Sequence, residues 1–394
     1  MHPLRVALYS HDTVGLGHTR RNLTIAAALS RRDADLLMIT GNPEATRLPL
    51  PRRTDVITMP TIGKDAAGDY RSRVLSLSYP DMINVRRALL SSVLGEFRPD
   101  LLIVDKVPRG AGGELEPALR QVARDGGRAV LGLREVLDDP ASTAAQWRAD
   151  RTTQAIDEFY AAVWVYGDPR VYDPRTEYRL PGSVADKLEF TGYLSRGRTS
   201  GLTGGRGSVG QLDPARPYVA CLVGGGQDGD ALALAFAEAA FPQDHLGVVV
   251  CGPYLAAERR ARLRQLAGRR SDLVLLDVVP GADAVIDRAA AVVSMAGYNT
   301  VCEILATATP ALLVPRTRPR AEQLIRAERF AGRGLVDLLP PDRLSPGRLA
   351  DWLASAVAGS AQATLRSSTS VRLDGLARIP HLADALLGVT EDAA

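Results

Sequence analysis

Short apolar runs of strand length alternate with amphipathic segments of helical period along most of the chain. This alternation is typical of a parallel β-sheet that is covered by helices on both faces. Residues 195–216 interrupt the pattern with six glycines and no apolar period, which is typical of a linker. In the first half the pattern predicts strands at 5–10, 36–40, 56–59, 101–105, 129–133 and 162–166, and its clearest helices at 18–30, 81–96 and 114–125.

The alternation starts again after the linker. It predicts strands at 218–223, 245–251, 273–276, 291–294 and 311–314, and helices at 230–241, 256–267, 282–288, 299–306 and 321–332. A last helix is expected at 373–387, where it could pack on either half. The sequence therefore predicts an α/β protein with two Rossmann-like domains in tandem that face a central cleft.

The composition agrees with this picture and narrows the classes of function. A length of 394 residues fits two domains better than one, and 46% hydrophobic with 24% charged residues is ordinary for a globular protein. The net charge of +3 does not indicate nucleic-acid binding. Only three of the 48 basic residues are lysines. A coding bias toward arginine explains most of that surplus, and the alternative is that some arginines bind phosphates or carboxylates.

The cysteines and the apolar segments bear on the cellular compartment. Cys221, Cys251 and Cys302 lie in apolar segments without a CxxC spacing, so we expect neither disulfides nor a zinc site. No signal-peptide core follows Met1, and no uncharged stretch approaches the roughly 18 residues of a membrane span. We expect a cytoplasmic protein with at most peripheral membrane contact.

A glycine-containing turn follows the first predicted strand and opens a helix. Gly15, Gly17 and His18 lie in this turn, at the position where Rossmann-like folds bind ligands. A dinucleotide fingerprint needs a third glycine and an acidic residue after the second strand, and the sequence has neither. It also lacks a GxxxxGK[ST] phosphate loop, so a nicotinamide dehydrogenase is disfavoured.

His18 is the first candidate for catalysis. The N-terminus is the positive end of a helix dipole, and it disfavours protonation of a histidine in the first turn. The neutral imidazole can then act as a base. The alternative is that His18, or its neighbour His11, only caps a loop or a helix. Asp105 ends the fourth predicted strand at the same edge of the sheet, where a carboxylate could orient the histidine. A loop cap or a salt bridge is the commoner use of such a residue.

The second domain carries a glycine run and two further turns at one predicted sheet edge. Residues 224–226 are three glycines between a strand and a helix, which together make an anion cradle. Gly297 opens another helix, and Glu303 lies one turn inside it, where its carboxylate could bind a ribose diol or only stabilise the helix dipole. The segment 315–323 adds three arginines and Gln323. Their convergence favours a nucleoside diphosphate as the ligand.

These segments resemble a known family. The two glycine turns and the segments 297–303 and 315–323 are similar to those of the inverting GT-B glycosyltransferases related to the peptidoglycan UDP-GlcNAc transferase. Within that family, the chain most resembles a branch of predicted bacterial glycosyltransferases. The motifs of that branch are GLGH-x-RRN at 15–22, VDK-x-PRG at 104–110, LR-x-x-LDDP at 133–140 and VYGDP-x-VYDP at 165–174.

The resemblance implies a donor site in the second domain. The glycines and Gln227 would hold the pyrophosphate with Arg196, and Glu303 would bind the ribose. The backbone of residues 278–279 would lie near the base. The implied donor-binding residues are Arg196, Gly224, Gly225, Gly226, Gln227, Val279, Gly297, Asn299, Thr300, Glu303, Arg320 and Gln323. The expected acceptor-binding residues are Gly15, Gly17, Arg71 and Arg134, and the alternative for Arg71 and Arg134 is that they are ordinary charges of surface loops.

The resemblance also implies domain boundaries and an activity. The last helix would return to the first domain, which gives domains of 1–196 with 372–394 and of 197–371. The activity would be inverting, metal-independent transfer of a sugar from a nucleoside diphosphate, with UDP expected, to an acceptor hydroxyl or amine. His18 and Asp105 would be catalytic, and no cofactor or metal is expected. We expect a role in secondary-metabolite or cell-envelope glycan biosynthesis. The alternatives are a non-hydrolysing UDP-sugar 2-epimerase and a non-catalytic nucleotide-sugar-binding protein.

Overall fold

The protein divides into two compact units. The computed structural model describes residues 3–12, 16–64, 70–195, 216–277, 282–359 and 371–389. One unit comprises Met1–Leu194 with Asp374–Ala394, and the other comprises Ser195–Leu373. The sequence motifs suggested boundaries at 196 and 372, two residues from those of the compact units.

The first unit is built on a parallel sheet. Among its described residues, seven strands pair in the order β3-β2-β1-β6-β7-β8-β9, and β4 pairs antiparallel with β5. Strands that are buried on both faces are apolar throughout, which is why β1 and β6 read as continuous hydrophobic runs. The strands are β1 (Arg5–Ser10), β2 (Asp35–Thr40), β3 (Thr54–Thr58), β4 (Ile62–Lys64), β5 (Tyr70–Ser72), β6 (Leu101–Asp105), β7 (Arg128–Arg134), β8 (Ala162–Tyr166) and β9 (Leu188–Phe190).

Helices connect the parallel strands of this unit, as right-handed crossovers require. Asp139 caps the N-terminus of the fourth helix by accepting a hydrogen bond from the Ser142 backbone N–H at 3.0 Å. The helices are α1 (Gly17–Leu29), α2 (Tyr79–Phe97), α3 (Glu116–Arg124), α4 (Pro140–Ala149), α5 (Thr152–Phe159), α6 (Pro174–Glu177) and α7 (Gly182–Ala185), with short 3₁₀ helices at Ser30–Arg32 and Pro43–Arg47.

The second unit repeats the architecture. Within its described residues, six parallel strands pair in the order β12-β11-β10-β13-β14-β15. They are β10 (Tyr218–Leu222), β11 (Leu246–Val250), β12 (Leu273–Leu276), β13 (Ala291–Ser294), β14 (Ala311–Leu313) and β15 (Asp337–Leu338). The helices are α8 (Asp230–Glu238), α9 (Ala257–Ala267), α10 (Asp283–Arg288), α11 (Tyr298–Leu305), α12 (Glu322–Ala331) and α13 (Pro346–Val357), and a 3₁₀ helix lies at Pro341–Arg343.

The last helix, α14 (Gly375–Leu387), packs on α1 of the first unit. Arg32, which follows α1, forms an ion pair with Asp384 of α14 at 3.0 Å. A Cβ on Gly375 would lie 2.6 Å from the carbonyl oxygen of Gly192, so the start of this helix fits closely against the end of the first unit.

Each sheet has a point where the strand order reverses. In the first unit β1 lies between β2 and β6, and in the second β10 lies between β11 and β13. Ligands of open α/β sheets bind beyond the carboxyl ends of the strands at such a point. Candidate site residues are therefore those that follow β1, β6, β10 and β13. None of the helices that the structure describes is long and apolar enough to cross a membrane.

Candidate functional site

His18 and Asp105 meet at the reversal point of the first sheet. Asp105 is the last residue of β6, which pairs with β1, and His18 lies in the first turn of α1. The His18 Nδ1 atom is 2.9 Å from Asp105 Oδ2. The His18 side chain is 21% exposed and that of Asp105 only 1%. The fold thus brings together the two residues that the sequence singled out, and one ring nitrogen bonds a carboxylate as in a triad.

Arg21 completes this cluster. Its Nη2 atom donates to Oδ1 and Oδ2 of Asp105 at 2.8 and 2.6 Å, and it lies 3.0 Å from His18 Nδ1. The Arg21 side chain is 3% exposed. Sequence reasoning included this residue in a motif but gave it no role. Its spacing was the available signal, because residues three apart on a helix share a face.

The charge state of Asp105 follows from these contacts. Burial raises its pKa, but the nearby Arg21 guanidinium and His18 outweigh that effect and hold the pKa well below its usual range. Asp105 is therefore a carboxylate at physiological pH. An ionised carboxylate can orient an imidazole and stabilise the imidazolium that forms when a proton is taken up.

Tyr166 borders the Arg21 side of the cluster. It ends β8, and its ring centroid is 5.9 Å from the guanidinium carbon of Arg21. Burial and the charge of Asp105 raise its pKa, so the phenol stays protonated. Gly132 on the intervening strand β7 makes room for this ring, because a Cβ there would overlap the Tyr166 hydroxyl.

A second buried network fixes the end of β1. Arg86 of α2 and Glu114 are fully buried and form an ion pair at 3.1 Å. Arg86 Nη2 also donates to the carbonyl oxygen of His11 at 3.1 Å, and the Tyr9 hydroxyl donates to Glu114 at 2.8 Å. Burial lowers the pKa of His11, whose ring lies 5.6 Å from that of His18. A neutral His11 and a fixed backbone thus adjoin the catalytic candidate.

The remaining candidates in the first unit are the expected acceptor-binding residues. Arg134 ends β7, the strand beside β6, and is partly buried. Arg71 is exposed on the hairpin strand β5, and Gly17 is exposed at the start of α1. Gly15 lies outside the described residues. The structure therefore places Arg134 at the edge of the sheet that carries Asp105, whereas no described contact joins Arg71 to the cluster.

In the second unit, the glycine run makes a tight turn after β10. Gly224 and Gly226 have φ angles of +61° and +90°, which L side chains rarely adopt. A Cβ on Gly226 would lie 2.6 Å from the carbonyl oxygen of Cys251. The Tyr254 backbone N–H donates to the Gly225 carbonyl at 2.9 Å. Gly224 and Gln227 remain exposed, so the outer face of this turn can receive a ligand.

The turn after β13 lies beside the glycine turn, because β13 pairs with β10. Gly297 is the N-cap residue of α11, and this helix start has no capping hydrogen bond from an N-cap side chain. Thr300 is buried, whereas Asn299 and Glu303 are partly buried. Buried Arg326 of α12 donates to the Ala296 carbonyl at 3.0 Å and fixes this turn. Sequence reasoning missed Arg326, which reads as one more arginine of a helix.

Arg316 connects the glycine turn to the helix α12. It forms ion pairs with Asp228 at 3.0 Å and with Glu322 at 3.1 Å. Its backbone N–H donates to Oε1 of the buried Gln323 at 3.3 Å. Arg320 is partly buried. The side chain of Gln323 therefore holds the loop between β14 and α12 by a hydrogen bond. Arg320 lies in the same loop.

Two expected donor contacts, Arg196 and Val279, lie outside the described residues. Among the described residues, no group of three or more His, Cys, Asp or Glu side chains is arranged to hold a metal ion. The cysteines 221, 251 and 302 are buried thiols that are not joined in disulfides.

Comparison with known proteins bears on the fold and on the enzyme class. Residues 219–378 match the glycosyltransferase family 28 C-terminal domain. Comparison with curated protein sequences gives no match.

Three solved structures superpose over nearly their whole length. A calicheamicin glycosyltransferase has a TM-score of 0.59 at 17% identity, over 98% of this chain and 99% of its own. MurG of Acinetobacter baumannii has a TM-score of 0.55 at 15% identity, over 98% of this chain and 100% of its own.

The third structure, from Listeria monocytogenes, is assigned by name as a UDP-N-acetylglucosamine 2-epimerase. Its TM-score is 0.64 at 9% identity, over 99% of this chain and 98% of its own. The chain has the GT-B fold with two Rossmann-like domains, and it resembles the glycosyltransferases related to MurG, as its motifs implied. The matched domain and the fold support a glycosyltransferase.

Proposed function

We propose that the protein transfers a sugar from a nucleoside diphosphate, UDP being the expected one, to a hydroxyl or amine of an acceptor, with inversion at the anomeric carbon. The observation that carries the proposal is the contact between His18 and the buried carboxylate of Asp105. This pair can remove a proton, and it lies in a chain whose second unit matches a glycosyltransferase domain.

The first unit supplies the base. With Nδ1 of His18 donating to Asp105, Nε2 carries a lone pair and can accept the proton of the acceptor group. The acceptor oxygen or nitrogen forms a bond to the anomeric carbon as the bond from that carbon to the diphosphate breaks. A single displacement of this kind inverts the configuration. A positioned base contributes about 10²- to 10⁴-fold in rate.

The second unit holds the donor. The glycine turn and the N-terminus of α8 present backbone N–H groups that suit a diphosphate, with residues 224–227 as its contacts. The same groups would stabilise the charge that develops on the leaving diphosphate, a role that a metal ion plays in other enzymes. Glu303 is the proposed ribose ligand, and Arg196 the proposed phosphate ligand.

The sugar and the base have proposed contacts of their own. Asn299, Thr300 and Gln323 lie on the helices that border the turn after β13 and the loop after β14. We assign the sugar to these residues and to Arg320. The nucleobase would contact backbone near Val279. The calicheamicin relative and the resemblance to the peptidoglycan transferase family support secondary-metabolite or cell-envelope glycan biosynthesis as the setting.

A thermal-shift panel of the full-length protein tests donor binding. UDP, dTDP, GDP and their sugars are compared at equal concentration. The true donor at 100 times its Kd stabilises the protein by about 2.7 kcal/mol. The variant Gly226→Ala should fold less stably and lose the ligand-dependent shift, because a Cβ there displaces the turn. If no nucleotide shifts the melting temperature of the wild-type protein, the donor site is wrong.

A 2-epimerase is the second candidate, because the Listeria relative superposes over nearly the whole chain. An incubation of the protein with the stabilising nucleotide sugar and no acceptor separates the two activities. An unchanged donor by NMR agrees with a transferase. Accumulation of the epimerised sugar favours the epimerase. Tight binding without product across an acceptor panel favours a non-catalytic binding protein.

A further inference from the structure

We propose that Arg21 is a positioning residue that sets the protonation state of His18, so that Nε2 is free to accept a proton. The proposal rests on the proposed function for its catalytic meaning. Its structural content, the effect of Arg21 on the His18 imidazole, can be measured without turnover.

The hydrogen bonds of Arg21 are in competition. Its Nη2 atom carries two hydrogens, but three atoms lie within 3.0 Å of it: Oδ1 and Oδ2 of Asp105 and Nδ1 of His18. Nδ1 of His18 is also 2.9 Å from Asp105 Oδ2. The position of the proton on His18 therefore decides whether Nδ1 donates to Asp105 or accepts a hydrogen bond from Arg21.

Two arrangements of protons fit this geometry. In the first, Nδ1–H of His18 donates to Asp105, Nη2 of Arg21 donates to the same carboxylate, and Nε2 has a lone pair. In the second, Nδ1 accepts a hydrogen bond from Arg21, and Nε2 carries the proton of the neutral ring. Only the first arrangement has a base directed away from Asp105, and only the first places a proton between Nδ1 of His18 and Oδ2 of Asp105, which lie 2.9 Å apart.

The charge of Arg21 also affects a third state, in which both ring nitrogens of His18 are protonated. Asp105 alone would attract a proton to the imidazole, because an opposite charge in contact favours the charged form. Arg21 balances that charge at the same distance and disfavours a second cation beside it. Arg21 thus offsets the attraction that Asp105 exerts on a second ring proton.

Other titratable and charged groups also pack around the cluster. From the end of β1, His11 faces His18, and burial lowers its pKa, so it is neutral. From β8, Tyr166 faces Arg21 and Asp105 and stays protonated. Lys106 and Arg86 act on His11. Within the part of the chain that the structure describes, Arg21 of α1 and Asp105 of β6 are the charged groups with a contact to His18 of 3.0 Å or less.

Three substitutions test the proposal on the full-length protein. Arg21→Gln removes the positive charge, and Arg21→Lys keeps the charge but replaces the guanidinium with an ammonium group. Arg31→Gln is the matched control, because Arg31 is exposed and follows the far end of the same helix. The readouts are the pH titration of the His18 ring by NMR and the acid limb of the pH profile of kcat.

In Arg21→Gln, we expect the midpoint of the His18 titration and the acid limb of the rate profile to move together to higher pH, by about one pH unit. The direction follows because an unbalanced carboxylate holds the ring proton more tightly. Arg21→Lys should keep both midpoints near their wild-type positions while kcat falls, and Arg31→Gln should change neither. A His18 titration that is the same in Arg21→Gln as in the wild type overturns the proposal.

A double variant covers the case in which Arg21→Gln does not fold. Arg21→Gln with Asp105→Asn removes both buried charges, so the unpaired carboxylate is avoided. We expect its His18 titration to lie near that of the wild type, because the charge balance is restored. A titration displaced to higher pH would contradict the proposed balance. The NMR readout does not depend on turnover, so failure of the proposed function would leave it interpretable.

Discussion

Replacing Asp105 with Asn removes one charge from the cluster with little change in shape. The carboxylate is 1% exposed and contacts His18 Nδ1 at 2.9 Å and Arg21 Nη2 at 2.6 and 2.8 Å. An amide cannot stabilise the imidazolium that forms as the acceptor loses its proton, and its NH₂ group can select the wrong ring tautomer. We expect kcat to fall about 10²- to 10⁴-fold, with a much smaller change in the donor KM.

The same substitution should also lower stability. It leaves the guanidinium of Arg21, 3% exposed, without its counter-charge. Loss of one partner of a buried ion pair costs about 3–5 kcal/mol, which is a large fraction of the about 5–15 kcal/mol that stabilises a typical domain. Asp100→Asn is the matched control, since Asp100 is exposed, precedes the opposite end of β6 and accepts a hydrogen bond from the Arg5 backbone N–H that an amide oxygen can also accept. We expect it to change the free energy of unfolding by less than about 0.5 kcal/mol.

Two assays measure these effects. The initial rate of nucleoside diphosphate release at saturating donor gives kcat, and urea unfolding gives the free energy of unfolding. An Asp105→Asn variant with kcat within threefold of the wild type and the same pH profile would refute the catalytic pairing of His18 with Asp105. An unchanged free energy of unfolding would refute the buried ion pair with Arg21.

Three further predictions concern acid stability and the donor site. The folded pKa of Asp105 lies below the unfolded value of about 3.9, so its stabilisation is present above about pH 4 and is lost as the pH falls through the folded pKa. The difference in unfolding free energy between wild type and Asp105→Asn should therefore shrink on acidification, and a constant difference would contradict this. Glu303→Ala should raise the donor KM about tenfold and change kcat less; an unaltered KM excludes the ribose role. Gly226→Ala should cost about 1–3 kcal/mol in urea unfolding, because its φ of +90° strains any side chain. Gly297→Ala, whose Cβ would meet no atom within 4 Å, is its control, with little loss expected.

The elements of both sheets that position the candidate site could be predicted from the sequence. β1, β6, β8 and β10 are buried on both faces, and such strands appear as uninterrupted apolar runs. The glycine turn after β10 was also visible, because three glycines between a strand and a helix leave few other interpretations. The edge placement of Asp105 followed from the parallel topology, whereas its contact with His18 was one of two alternatives that the sequence left open.

Other elements lacked a usable local signal. β15 has two residues and β4 and β5 have three each, which is too short for a period to appear. The helix α13 was missed although Leu349 and Leu353 form an i, i+4 apolar pair in it and Ser345 caps it. Its pattern lies after the last predicted strand, outside the alternation of strands and helices.

The role of Arg21 could not be predicted for a different reason. The sequence has 48 basic residues, nearly all arginine, so one more arginine on a helix reads as a surface residue. Its burial depends on Asp105, which lies 84 residues away in the chain. Only the packing of α1 against the end of β6 determines that these two charges neutralise each other.

The most direct test of the proposed transfer is turnover of His18→Ala once a donor and an acceptor are identified. We expect transfer to fall about 10²- to 10⁴-fold and the acid limb of the pH profile to disappear, while the thermal shift produced by the donor stays as in the wild type. Wild-type turnover with an unchanged pH profile in this variant would contradict the assignment of His18 as the base.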